Sequence, residues 1–396
     1  MQIKLPFTIL THYRNFKHKN NSKNILPVLV SIFILILLIL IPTGYEDAII
    51  YKGTDRTYAR VISVNNDNIQ DTGLVRSGEQ TCVLELLGGK FKNQKTEGYN
   101  LLSGSLESDK IFKEGDKALV VISYQGNKIL SVNMIDHYRI NKEIILALAF
   151  MLVLILVAGT AGIRAILSFS ITILMIWKVL VPAYLNGYNP IYWGLTITIL
   201  LAFIIISLVY GFNYKTLSAV SGAALGILVT CILGNLFTDA FQIHGAIMPN
   251  SESLLYSGYQ HLNLTQIFMA SIFIGASGAV MDLAVDITSA INEVVDKKPD
   301  ISWKEATMSG MNVGRAAMGT MTTTLLLAYS GGYIALLMIF MAQGTPIDNI
   351  LNYKYVSAEI IDTVVGSFGL VTVAPFTALT SGFLLTKTKK HRTSTY

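Results

Sequence analysis

Unbroken apolar runs decide what this chain can become. The stretch 25–41, ILPVLVSIFILILLILI, approaches the ~20 residues that cross ~30 Å of hydrocarbon. Further runs lie near 144–161, 163–185, 191–210, 217–237, 267–287, 316–341 and 360–385. A soluble domain cannot carry so many, because each of its helices needs a polar face. Only 14% of the residues are charged and 52% are hydrophobic, so no such faces can be assembled. The chain therefore reads as a polytopic membrane protein: an all-α bundle of about eight transmembrane helices. The lipid bilayer is its first partner.

Lysine and arginine placement orients the spans. The leader holds Arg14, Lys17, Lys19 and Lys23 without an acid, and its long apolar run has no A-x-A cleavage site behind it. An uncleaved anchor therefore fits better than a signal peptide. With the amino terminus inside, the cytoplasmic segments also hold Arg164, Lys215, Lys297, Lys298, Lys304, Lys387, Lys389, Lys390 and Arg392. The short outer loops 238–263 and 344–358 contain only Lys354. The expectation is a plasma-membrane protein with both termini cytoplasmic and residues 43–140 outside. Five segments follow: leader and anchor 1–42, outer domain 43–140, spans two to five over 141–237, an outer interfacial loop 238–263, and spans six to eight with a basic tail over 264–396.

The outer segment alternates apolar and polar residues in RTYARVISV, EQTCVLELL, DKALVVISY and NKILSVNMI, with turn clusters GGKFKNQ and YQGNK between. Four or five such strands in about a hundred residues predict a small closed, OB-like β-barrel. No aromatic or basic platform marks it as a nucleic-acid binder. Cys82 and Cys231 lie in segments of different character and make neither a disulfide framework nor a metal site. His244 and His261 read as solvated loop residues.

The polar residues of the late spans carry the functional question. GASGAVMDLAVDITSAINEV, 275–294, places Asp282 and Asp286 one turn apart on one helix face. A charge at the bilayer centre costs roughly 2.5–3.5 kcal/mol on insertion scales. Asp286 falls near the inner interface, where a helix end meeting water is the plain reading, so the cost falls on Asp282. Gly275 and Gly278, like Gly222 and Gly226 of an earlier span, form small-residue faces that let helices approach closely. In MSGMNVGRAAMGTMTTTLLLAYSGG, 308–332, Asn312, Arg315, Gly319 and Thr322 recur at helical spacing, with Thr320 and Thr323 beside them. Residues 282 and 315 stand sixteen and seventeen positions from Lys298, which predicts equal depth in a helix hairpin and an Asp282–Arg315 ion pair. Gly331 and Gly332 offer a place to break the helix, and Gly366, Gly369 and Pro375 a place to bend the last span, which carries Asp362.

These paired motifs, GASGAVMDLAVDITSAINEV and SGMNVGRAAMGTMTTTLLLAYSGG, resemble the signature of the YibE/YibF family of multipass proteins. LSGSLESDKIFKEGDKALVVI and NGYNP are similar to it as well. The resemblance implies a multipass membrane protein without an assigned activity. It also implies an acidic residue after the arginine and an asparagine within the threonine run, where this chain has Ala316 and Thr323. A looser similarity in layout links the chain to RND-type permeases, which also place an outer domain after the first span.

The leading functional expectation is a secondary transporter or permease, proton-coupled through Asp282, Asp286 and Arg315. The alternative is a non-transporting scaffold or assembly factor in which those residues lock helices. An intramembrane aspartyl protease needs aspartates on facing helices, so no enzyme is expected. No cofactor, metal or nucleic acid is indicated. The expected partners are a small molecule or ion, whose identity the residues do not encode, and a second copy or related membrane chain.

Single cysteines in a background lacking Cys82 and Cys231 check the orientation. An impermeant thiol reagent on intact cells should label positions 110 and 251 and spare 298 and 389. Labelling at 298 would invert the scheme.

Overall fold

The computed structural model describes residues 25–46 and 53–393. The basic leader lies outside the described residues. The described residues divide into two compact units, one within 45–158 and one within 25–44 and 159–393.

In the first unit, six strands follow one another: β1 Asp55–Asn65, β2 Ile69–Asp71, β3 Arg76–Leu86, β4 Lys95–Ser103, β5 Lys117–Gln125 and β6 Lys128–His137. They are ordered β1-β5-β6-β4-β3, and β1 pairs back onto β3, so five strands close on themselves while short β2 only extends β3. Every long pairing is antiparallel except β4 with β6, which run parallel. That Greek-key closure is the OB-like barrel. Period-two alternation fills it: Ala59 and Val61, then Cys82, Leu84 and Leu86, then Ala118, Val120 and Ile122 point inward with Phe112 and Met134. Gly98 is needed where β4 meets β6, because a β-carbon there would fall 3.1 Å from Leu84 Cγ and 3.4 Å from Met134 Cγ.

One end of the barrel is closed by polar bonds. Buried Gln80 accepts from Phe112 N–H (3.0 Å) and donates to Asn66 Oδ1 and Phe112 O (both 2.9 Å). Asn100 donates to Lys110 O (2.6 Å). Asp109 accepts from Ser103 N–H and Oγ and from Gly104 and Ser105 N–H, and these donors hold its carboxyl below the usual range. The unit ends in helix α2, Ile140–Ala158, none of whose residues is buried.

The second unit contains α1 Ile25–Leu40, α3 Thr160–Leu185 with a π-helical turn at Ile176–Leu180, α4 Pro190–Tyr210, α5 Tyr214–Ala240, α6 Ser251–Tyr256, α7 Leu264–Lys297, α8 Trp303–Ser330, α9 Ile334–Ala342, α10 Ile347–Leu351 and α11 Lys354–Thr393. Sequence sets the ends of the spans. Asn189, Asn213 and Asn263 accept first-turn N–H groups of α4, α5 and α7. Ser302 and Glu305 make a reciprocal capping box on α8. Gly211, at φ 83°, turns the chain between α4 and α5. Among the described residues, seven helices are long and apolar enough to cross a membrane: α2, α3, α4, α5, α7, α8 continued through α9, and α11. Helix α1, with 16 residues, is shorter. The chain is a multipass membrane protein with a β-barrel ahead of its helical bundle.

At the centre of the bundle α5, α7 and α11 touch through small residues. A β-carbon at Gly222 would lie 2.7 Å from Thr377 Cα, and one at Gly226 would lie 2.9 Å from Val373 Cβ. Thr288 and Ser381 hydroxyls bond across α7 and α11 at 2.9 Å. Helix α8 joins along Gly310 and Gly314, which fit against Ile291 and Ile287. Helix α11 continues through Pro375 as one helix.

Cys82 reports on the barrel. It is 1% exposed, and burial pushes its thiol up to about 11, which leaves almost no thiolate at neutral pH. Residues 45–138 expressed alone should unfold in one denaturant transition, with Cys82 reacting with a thiol reagent only as that transition proceeds. A thiol that reacts fully before the strand signal is lost would contradict an independent barrel.

Candidate functional site

Helix α7 buries one side and leaves the other open. Leu264, Phe268, Ile272, Phe273, Ala276, Val280, Leu283, Ala284, Ile287 and Ile291 are packed inside. Ser271, Gly275, Gly278, Asp282, Asp286 and Ser289 are exposed. At about 100° per residue these six fall within one stripe of the wheel. The stripe is small or acidic throughout, on a helix whose other side is apolar. At 1.5 Å per residue the 34 residues of α7 span about 51 Å, so its last turns extend beyond a ~30 Å hydrocarbon core.

Two tyrosines frame the stripe. A β-carbon at Gly275 would fall 2.7 Å from the Tyr329 hydroxyl, so glycine there makes room for that ring from α8. At the other end Tyr210 of α4 donates to Val285 O, and its hydroxyl lies 2.6 Å from Ser289 Oγ, within electrostatic reach of Asp286. Between them nothing comes within 4 Å of a β-carbon built on Gly278. Glycine at 278 therefore packs against no helix among the described residues; it widens the open stripe. The same holds for Gly319 on α8.

Arg315 does not pair with Asp282. Among the described residues, no ion pair includes either side chain. Two geometric causes are visible. Gly310 and Gly314 meet Ile291 and Ile287, and Tyr329 meets Gly275, which registers position 282 opposite about residue 320. The hairpin is centred near 300, because α7 ends at Lys297 and α8 begins at Trp303, so Arg315 is level with Asp286. Its azimuth also differs. Gly314 faces α7, and Arg315 is turned about 100° away from it. The stripe Asn312, Arg315, Gly319, Thr320 and Thr323 is exposed, and Thr322 is half-buried. Thr320 and Thr322 return their hydroxyls to Ala317 O (3.1 Å) and Met318 O (2.9 Å) of their own helix.

A family model described as "YibE/F-like protein" matches residues 146–387, and one described as "YibE/F family N-terminal domain" matches residues 50–138. The chain belongs to the YibE/F family. Neither the curated proteins nor the solved structures gave a match.

In this YibE/F-family protein the exposed acidic stripe, the Arg315 stripe and both framing tyrosines lie inside the YibE/F-like match, and the barrel fills the N-terminal-domain match. Sequence reading passed over Tyr210 and Tyr329. The signal available was weak: a tyrosine in an apolar span costs its hydroxyl's desolvation unless it finds a partner. It also passed over Glu359, one turn before Asp362. No group of three or more His, Cys, Asp or Glu side chains suited to a metal ion occurs among the described residues.

Proposed function

We propose that this YibE/F-family protein is a secondary transporter or permease of the cell membrane, proton-coupled through Asp282 and Asp286, with its barrel outside and both termini inside. The observation that carries the reading is the open stripe Gly275–Gly278–Asp282–Asp286–Ser289 on α7. Lipid tails offer such a stripe no hydrogen bonds, and intramembrane acids face cavities or bundle interiors. Of the charged groups around Asp282, the one acting on it most clearly is Asp286, a second proton acceptor and no counter-ion. Small residues keep the stripe wide, and polar hydroxyls stand at both of its ends. Arg315, level with Asp286 and in no ion pair among the described residues, sets a positive charge at the inner end of the neighbouring helix α8.

A scaffold is the second reading, favoured by the empty space over Gly278 and Gly319, where another chain's helix could lie. The version in which Asp282 and Arg315 lock two helices has less support. The locking contacts of the bundle are Gly222 with Thr377, Gly226 with Val373 and Thr288 with Ser381.

Proteoliposomes with an internal pH dye, an imposed pH gradient and the small-molecule fraction of a cell extract test the transport reading. Wild type should dissipate the gradient, and Asp282→Asn should slow that by about a hundredfold, the scale of a lost acid–base group. The melting temperature should stay nearly unchanged, because no partner is stranded. The opposite result is a drop worth about 3–5 kcal/mol in Asp282→Asn and in Arg315→Gln, recovered in the double variant. It would replace transport with a structural lock.

A further inference from the structure

A second polar cluster lies at the start of α11. Glu359 and Asp362 are three positions apart on one face of that helix, and Thr363 is four from Glu359 on the same face. Glu359 Oε1 and Asp362 Oδ1 are buried without a hydrogen-bond partner among the described residues. So is the Oγ1 of Thr363, a residue only 8% exposed. Above them, α8 gives way at Gly331–Tyr333 to a 3₁₀ turn before α9. Tyr333 from that turn stands beside the Glu359 carboxylate, and Tyr329 lies within electrostatic reach of both acids.

The charge balance of this cluster does not close. No lysine, arginine or histidine forms an ion pair with either carboxylate among the described residues. The groups acting on Asp362 and Glu359 are each other and Tyr333, with Tyr329 facing them from α8 and Tyr355 close to Tyr333. Helix α7 and the end of α5 present apolar Phe268, Ile272, Leu233 and Phe237 to this part of α11. Two half-buried carboxylates, each with one oxygen buried and neither paired with a cation among the described residues, are costly to keep doubly charged in a membrane unless something positive joins them.

We infer that Glu359 and Asp362, closed over by Tyr333 and Tyr329, form a proton-binding site. A hydronium ion gives up a proton by breaking one of its O–H bonds, leaves as water, and a new O–H bond forms on one carboxylate oxygen. The resulting hydroxyl can donate to the other carboxylate, which leaves the pair a single charge beside Tyr333. A proton suits the ligand set better than a metal ion, because among the described residues no group of three or more His, Cys, Asp or Glu suited to a metal ion occurs. The site stands apart from the transport reading, since a chain that moves no solute could hold the same proton. Its place is nevertheless informative. Gly366 meets Ala276, and Ser381 meets Thr288, so α7 and α11 run parallel. That register sets Asp362 level with about Ile272, roughly 15 Å along the axis from Asp282. Tyr329 stands between, over Gly275.

Infrared difference spectra of the full-length protein in lipid nanodiscs at pH 7, wild type minus variant, test the site without any substrate. Wild type should show a carboxylic-acid C=O band that shifts in D₂O and is lost in Asp362→Asn, Glu359→Gln or their double variant. Tyr333→Phe should shift that band and leave it present, which a merely structural role would not do. Should one acid variant fail to fold, the other gives the same readout. Difference spectra containing only ionised carboxylate bands would overturn the proposal. So would conversion of the wild-type band to carboxylate on replacing choline chloride by sodium chloride, which would make the occupant a metal cation.

Discussion

The bilayer supplies no hydrogen bonds, and that one constraint organises the membrane unit. Backbone groups meet it by closing into helices. Helix ends meet it with Asn189, Asn213, Asn263 and the Ser302–Glu305 box. Polar side chains have no such general solution. Many serines and threonines bond to a carbonyl three or four residues back, as Thr198, Thr230, Thr322 and Thr386 do. Acids cannot do this, since an ionised carboxylate only accepts. Asp282, Asp286, Glu359 and Asp362 are thus the groups whose presence the fold itself does not explain.

Close packing explains why they can be held in place at all. Without a hydrophobic force between helices in lipid, contact depends on small residues and good fit. Gly222 against Thr377, Gly226 against Val373 and Gly314 against Ile287 fix the register of α5, α7, α8 and α11. That register keeps one side of α7 in the core and leaves the acidic stripe outside it. It also carries Tyr329 to Gly275, where a β-carbon would crowd the tyrosine hydroxyl.

Much of this was legible in the sequence, and the misses share a cause. Span positions follow from hydropathy, and strands β1, β3, β5 and β6 from alternation. KTEGYNLLS, which forms β4, was not singled out, because Gly98 interrupts its apolar pattern where the barrel needs close approach. The depth of Arg315 was misjudged by about one turn, since the hairpin is centred near 300 and not at Lys298. Its azimuth could not be read at all, because a stripe of polar residues gives a face but not the neighbour of that face. Glu359 lay hidden for a similar reason. One acid near a span end looks like an interfacial residue, and the burial of its Oε1 arises from the packing of the folded chain.

The central claim is that the stripe on α7 meets water inside the membrane. Spin labels at positions 278 and 282, with a lipid-facing control at Ile232 of α5, measure this in the full-length protein in bilayers. Labels at 278 and 282 should collide more often with a water-soluble nickel chelate than with oxygen, and the label at 232 should show the reverse. Accessibility at 278 and 282 matching that at 232 would place the stripe against lipid and contradict the account.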